Sequence, residues 1–404
     1  MNGSNWQIQH QCPQCGAPVI LEETDRLLSC AFCRTRLYIV SPGPCHYYIP
    51  PPATAETVYI PYWRLRGLAY QLQPPEMTPS YVDANRQALP IKGLPPSLGV
   101  RPQAMKLKYL SPESPGVFLR PKLKAEETLP QAAASAMRGR NVFIGEAVSL
   151  IYTPMLLRNN TLADAFRPGL TMSWTDAERG EYPLLDAAAR GNTRFLPILC
   201  PACGWDLQGT RDSVLLTCRN CQSAWSCNGA ALEKTPFRVM TGAADDLHYL
   251  PFWRLKVRFE GLSLESRADL IRLANLPRAV TPEMEKTAVH FWSPAFKVNP
   301  ALFMRWARQA TVFQPDEDYG ETLPQRQLYP VNLSAGEALE SVLVTLAGIV
   351  TDKRVFFTVL PRLKMHAEET LLVYQPFAAA GQELIHERMK VVIDRKALTF
   401  GALM

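Results

Sequence analysis

The chain has 404 residues, more than one hydrophobic core usually organises, so two or more domains are expected and a single small module is excluded. Hydrophobic residues make up 47% and charged residues 20%, the balance of an ordinary folded protein and not of a disordered or fibrous one. Its 35 prolines favour extended segments, turns and edge strands, and argue against a coiled coil or an all-helical solenoid.

Residues Met1 to Trp6 show no basic stretch leading into an apolar run, and the longest apolar run, Val342 to Val350, is about half a membrane span. No secretory signal and no membrane span are expected. The chain is assigned to a reducing cytoplasm, where its ten cysteines serve metal rather than disulfides.

The first of them form Cys12-Pro13-Gln14-Cys15-Gly16, followed after 14 residues by Cys30-Ala31-Phe32-Cys33. The same pattern returns as Cys200-Pro201-Ala202-Cys203-Gly204 and, again after 14, Cys218-Arg219-Asn220-Cys221. Two thiolates three positions apart on a tight turn converge on one side, and two such turns close a tetrahedron around Zn²⁺. Glycine after the second cysteine suits that turn. Both segments resemble zinc ribbons of the rubredoxin-like type, over about 30 residues in each half, and the resemblance implies small β-hairpin modules. Two structural Zn²⁺ are expected; S₄ geometry alone also admits iron. All-cysteine ligation leaves no open position for water or substrate, so the sites hold the fold and do no hydrolysis. With eight thiolates and two divalent ions counted, the formal +6 falls to about +2. Arg26, Arg34 and Arg36 near the first cluster and Arg211 and Arg219 near the second are read as screening sulfur charge rather than contacting phosphates. Cys45 and Cys227 are left over as buried or incidental thiols; Cys45 and His46, adjacent in an extended segment, point apart and make no nucleophile pair.

Between the clusters, residues 41–58 are proline-rich and read as a stiff linker. Tyr59-Ile60-Pro61-Tyr62-Trp63-Arg64 follows, and returns as Tyr249-Leu250-Pro251-Phe252-Trp253-Arg254. Trp63, Arg64, Trp253 and Arg254 either pack the junction between ribbon and body or grip a partner. Met105 to Leu110 and Val117 to Lys124 read as a hairpin with Lys106, Lys108, Arg120, Lys122 and Lys124 on its polar face, a candidate track for a phosphate backbone. Val148 to Tyr152 reads as a strand. In the second half, Asn299-Pro300 starts a helix over Ala301 to Thr311, and the capping box Ser334-Ala335-Gly336-Glu337 starts another over Ala338 to Ile349. Val355 to Leu360 and Leu371 to Tyr374 read as strands.

The ribbons, the Tyr-x-Pro-aromatic-Trp-Arg segments, Glu127 to Gln131 with its copy Glu321 to Gln325, and Leu150 to Met155 with Leu372 to Phe377 recur in one order, which predicts an internal duplication. The expected fold is α+β and duplicated, each half a Cys₄ zinc ribbon plus a larger, mainly antiparallel-β body with a few helices. The divisions are ribbon 1 over 1–40, the linker over 41–58, body 1 over 59–195, ribbon 2 over 196–229, a second linker over 230–248, and body 2 over 249–404 with an insertion around 326–370.

No phosphate-cradling glycine motif, no G-x-S-x-G and no H-E-x-x-H is present, and His366 beside Glu368 and Glu369 reads as a solvated cluster. No catalytic residue, enzyme activity or small-molecule substrate is expected. The expected function is a non-catalytic zinc-binding adaptor that contacts other protein subunits in a larger assembly; the alternative is nucleic-acid binding through residues 92–124.

Overall fold

The structure is a computed structural model that describes residues 6–403 apart from 42, 53–54, 75, 100–105, 129–139, 192, 229–230, 245, 316–318 and 325–326. Its architecture is mixed α and β, dominated by strands. The first half holds β1 (Gln7–Gln11), β2 (Pro18–Glu22), β3 (Leu27–Ser29), β4 (Arg36–Val40), β5 (Cys45–Tyr48), β6 (Thr57–Gln73), β7 (Glu76–Gln87), β8 (Leu107–Tyr109), β9 (Val117–Phe118), β10 (Arg140–Arg158), β11 (Thr161–Asp164), β12 (Thr171–Ser173) and α1 (Asp176–Glu181). The second holds β13 (Arg194–Pro197), β14 (Leu215–Cys218), β15 (Ser223–Asn228), β16 (Ala231–Thr235), β17 (Phe237–Met240), β18 (Leu247–Glu260), α2 (Arg267–Ala274), α3 (Pro282–Lys286), β19 (Phe291–Pro294), α4 (Pro300–Phe313), β20 (Tyr319–Gly320), α5 (Ala335–Ile349), α6 (Lys353–Val359), β21 (Lys364–Ala380), β22 (Glu383–His386), β23 (Val392–Asp394) and α7 (Arg395–Leu403). No described helix is long and apolar enough to cross a membrane.

Each half is built on a long antiparallel strand pair, rich in the β-branched and aromatic residues that suit a pleated, buried surface. In the first, β6 pairs β10 with Pro61 opposite Tyr152 and Tyr59 opposite Pro154. In the second, β18 pairs β21 with Pro251 opposite Tyr374 and Tyr249 opposite Pro376. Further bonds repeat around these pairs. The Ala88 amide donates to the Pro61 carbonyl at 3.0 Å and the Ala295 amide to the Pro251 carbonyl at 3.0 Å. Trp63 Nε1 donates to the Leu123 carbonyl at 2.7 Å, and Trp253 Nε1 to that of Leu333 at 2.9 Å. The numbering offset between matching positions is 190 at Pro61 and Pro251, 207 at Ala88 and Ala295, 210 at Leu123 and Leu333, and 222 at Tyr152 and Tyr374. Between these positions the second half carries more chain than the first, with α2 and α3 between β18 and β19 and α5 and α6 ahead of β21.

Several sequence expectations need correction. Val355 to Leu360 forms α6 rather than a strand: Asp352 caps its start, accepting from the Val355 amide, and Phe356 and Phe357 are buried on one side. Residues 107–124 do not form a hairpin. Strand β8 pairs β1 and β5, while β9 lies parallel to β6, and Leu107 and Phe118 are buried in separate apolar cores; Met105 lies outside the described residues. Both proposed linkers contain strands, β5 against β10 and β16 and β17 in the second half, so neither is a free spacer. The Glu127 and Glu321 pentapeptides are not equivalent positions: Glu127 follows Leu123, whereas Glu321 precedes Leu333, and residues 129–131 and 325 lie outside the described residues. The strand at Phe118 and the helix at Phe303 both form, and the residue that matches Phe118 against β6 is Leu328 against β18.

Both predicted helices begin where their caps stand. Asn299 Oδ1 accepts from the Ala301 amide ahead of α4, and Ser334 and Glu337 form the reciprocal box ahead of α5.

Ribbon and body are clamped in the first half by a buried ion cluster in which Arg64 and Arg66 share Glu23. Arg64 is 1% exposed; its Nε and Nη2 reach both Glu23 carboxylate oxygens at 2.9 and 2.7 Å, Asp83 takes Nη1, and the guanidinium lies 4.4 Å over the ring of Trp6. Removing one partner of such a pair leaves an uncompensated buried charge. Glu23→Gln is expected to lower stability by about 3–5 kcal/mol, read by urea denaturation of the metal-loaded chain.

Candidate metal centres

Each cluster is assembled from two tight turns. In the first, the Gly16 amide donates to the Cys12 carbonyl and the Cys12 amide to that of Ala17, both at 2.8 Å; in the second cluster Gly204, Cys200 and Trp205 repeat these bonds at 2.8 Å. Gly16 and Gly204 have φ of +73° and +72°, a left-handed conformation glycine adopts without a side-chain clash. Across each cluster, Arg34 and Gln222 hold the matching left-handed position of the other turn, with φ of 61° and 53°. Cys12, Cys30, Cys200 and Cys218 are buried, and Cys15, Cys33, Cys203 and Cys221 face solvent.

The turns bring four sulfurs together twice, all within 4.8 Å of one another in each group. Cys12 and Cys33 are 3.7 Å apart, as are Cys15 and Cys30. Cys200 and Cys221 are 3.5 Å apart, as are Cys203 and Cys218. Four sulfurs bound at about 2.3 Å to a tetrahedral ion stand about 3.8 Å from one another, whereas a disulfide requires about 2.05 Å. The spacing fits one metal ion in each cluster and no disulfide within them.

Hydroxyls support the exposed ligands. The Thr35 hydroxyl stands 3.3 Å from the Cys33 sulfur, and with the Thr35 amide brings that thiol down to about 6. Ser223 Oγ stands 2.9 Å from the Cys221 sulfur and accepts from Trp225 Nε1 at 2.8 Å. The Asn220 side chain and the Trp205 amide bring Cys203 down to about 6, while burial foremost pushes Cys218 up to about 12. Thiols of such unlike acidity side by side are competing for protons, a competition that a divalent cation binding all four as thiolates removes. Sequence reasoning passed over Thr35 and Ser223. The signal was present, a hydroxyl residue two positions beyond the last cysteine of each cluster.

The two clusters are close neighbours through their surroundings. The Arg211 carbonyl accepts the Arg26 and Leu27 amides at 2.6 and 2.9 Å, and Arg211 Nη2 reaches Asp25 at 2.5 Å. Strand β13, leading into the second cluster, pairs β4 of the first. Leu27, Tyr38, Val40, Ile198, Leu207 and Trp225 share one apolar core between them. Arg211 therefore serves a carboxylate and Arg219 the Pro324 carbonyl, which corrects the reading of both as sulfur-screening charges.

The remaining candidates are dispersed. Trp63 and Trp253 are 8% and 4% exposed and spend their indole N–H groups inside the protein, and Arg64 is buried, so no ring or guanidinium face there is open to a nucleobase. Arg254 lies 5.7 Å over Tyr319. Lys106, Lys108, Arg120, Lys122 and Lys124 are all exposed, but they do not share one face. Lys106 and Lys108 line a groove with Arg194, whereas Arg120 pairs Asp186 and Lys122 donates to the Glu181 carbonyl beneath Tyr182. His366 bonds Glu260, while Glu368 pairs with Lys256 and Arg258. Cys45 and Cys227 are half-buried strand residues.

Compared with known proteins, the chain matches no family model, no curated protein and no solved structure. The eight sulfurs are then the strongest functional statement the molecule makes. Elemental analysis of purified protein is expected to find two metal ions per chain, Cys15→Ser and Cys203→Ser each losing one. A wild-type ratio of one or none overturns the two-site reading.

Proposed function

We propose that the protein is a non-catalytic zinc-binding adaptor, two copies of one ancestral unit joined through their ribbons, that docks other protein subunits. The duplication is supported by the matching registers of β6 with β10 and β18 with β21, and by the Trp63 and Trp253 bonds. The zinc assignment is supported by the sulfur spacing. The observation that carries the adaptor reading is what the turns display. Phe32, between two ligands of the first cluster, is 69% exposed, and Trp205, two residues beyond a ligand of the second, is 61% exposed. Large aromatics held out on metal-stiffened turns lose little conformational freedom on binding, which is how interface anchors gain affinity.

A reducing cytoplasm remains the proposed location, since thiolate sites persist there. Affinity purification from the native cells at moderate salt is expected to bring down one or more protein partners in fixed ratio. Phe32→Ala together with Trp205→Ala should release them while both metal ions stay bound. A wild-type chain that runs alone as a monomer sinks this reading.

A second reading, nucleic-acid binding, is favoured by the groove of about 1,030 Å³ lined by Lys106, Lys108 and Arg194. On its wall His10 stacks on Phe195 at 4.5 Å and meets Tyr109 edge-on at 5.4 Å. Phosphate contact releases counterions, so affinity for a single-stranded oligonucleotide should fall steeply from low to physiological salt. Lys106→Ala with Lys108→Ala should flatten that slope; unchanged binding removes the second reading.

A further inference from the structure

A cavity of about 810 Å³ opens in the second half, far in sequence from the cysteines, between the end of α2, the C-terminal turns of α4 and α5, and the turn after β22. Its volume lies within the roughly 300–1,000 Å³ range of small-molecule sites. Four guanidinium-bearing residues line it, one or two from each wall but α5: Arg267, Arg278, Arg308 and Arg388. Among the described lining residues there is no aspartate or glutamate. Three acids close in sequence to these arginines have partners outside the cavity lining. Glu387 accepts the Ala243 and Ala244 amides, and Glu285 and Asp269 pair with Arg272. The helix C-termini bring opposing partial charges of about −0.5 each, which the full charges of Arg278 and Arg308 outweigh.

The floor is apolar. Leu276, Val312, Ile349 and Met389 line it, and Phe313 beside them is 43% exposed. The buried Oε1 of Gln309, a residue of the wall, finds no donor among the described residues. The turn carrying Arg388 and Met389 is held in place, because their amides both donate to His386 Nδ1, at 3.3 and 3.2 Å.

Convergent guanidinium groups at the rim of an apolar floor suit a ligand with an anionic head and a hydrocarbon body, since guanidinium forms paired hydrogen bonds to phosphate or carboxylate oxygens. We infer that this cavity binds a single-chain anionic amphiphile, its head held by Arg278 and Arg308 and its chain lying over Leu276, Val312 and Met389. This site is independent of the adaptor reading and of the metal clusters.

The test uses the full-length, metal-loaded chain and dodecyl phosphate, titrated calorimetrically below its micellar concentration. Saturable one-site binding is expected. Arg278→Gln with Arg308→Gln, both exposed positions, should weaken it about tenfold or more at an unchanged Tm. Gly348→Leu supplies a second, steric variant. A Cβ at Gly348 meets nothing closer than Arg308 Cδ at 3.7 Å and Met77 Cε at 3.9 Å, so the helix tolerates it while the longer side chain crowds Arg308 at the cavity wall and should weaken binding. Dodecyltrimethylammonium and inorganic phosphate are expected to bind far more weakly, the first lacking the anionic head and the second the chain. Absence of saturable binding, equal binding of either comparison compound, or indifference to both variants overturns the inference.

Discussion

Convergence of four thiols at one point, twice, is the constraint on which the rest of the chain is arranged. About 30 residues of ribbon bury too little apolar surface to offset their chain entropy, and a metal ion in the four-thiol site, worth an apparent ~10–16 kcal/mol for a structural zinc, would supply the difference. The strands that leave each cluster start from turns whose backbone directions the sulfurs set. Strand β1 runs from Gln7 to Gln11 directly into the first ligand, and β14 ends on Cys218 itself. A shift of either turn would misplace these strands and the pairings beyond them.

Neither ribbon is a tethered module. The first joins the sheet of its body through β1 against β8, and Arg64 binds it again from below through Glu23 and Trp6. The second is pinned to the first through Arg211 and Asp25 and through their common apolar core. The bodies are equally interlocked. Leu68, Tyr70, Leu72, Val142 and Ile144, at the far ends of β6 and β10, lie in the main core of the second half, and the Tyr70 hydroxyl donates to the Pro300 carbonyl at 2.9 Å. Independent unfolding of the halves would expose that shared surface, so the architecture favours a cooperative whole.

Exposure divides the surface features by role. Residues with the strongest sequence signature after the cysteines, Trp63, Arg64 and Trp253, are interior and hold elements together. The most exposed aromatics among the described residues, Phe32 and Trp205, sit on the turns of the cysteine clusters. The four arginines of the α2–α4–α5 cavity are scattered between positions 267 and 388, with no motif to announce them.

Local chemistry determined what could be read from the letters alone. Metal-ligand spacing, the caps at Asn299 and Ser334, and the extended runs around Val148 and Leu371 each depend on neighbours a few residues away, and the structure has them where the sequence placed them. Val355 to Leu360 misled because a short apolar run fits a strand or a helix equally, and Asp352 with the burial of Phe356 and Phe357 decided for the helix. Residues 107–124 misled for a related reason: alternation shows that one face is buried but not against which strand. Partner choice, the fate of Arg64, the split of the lysines and the arginine-lined cavity all depend on residues tens to hundreds of positions apart, and only the folded chain brings those together.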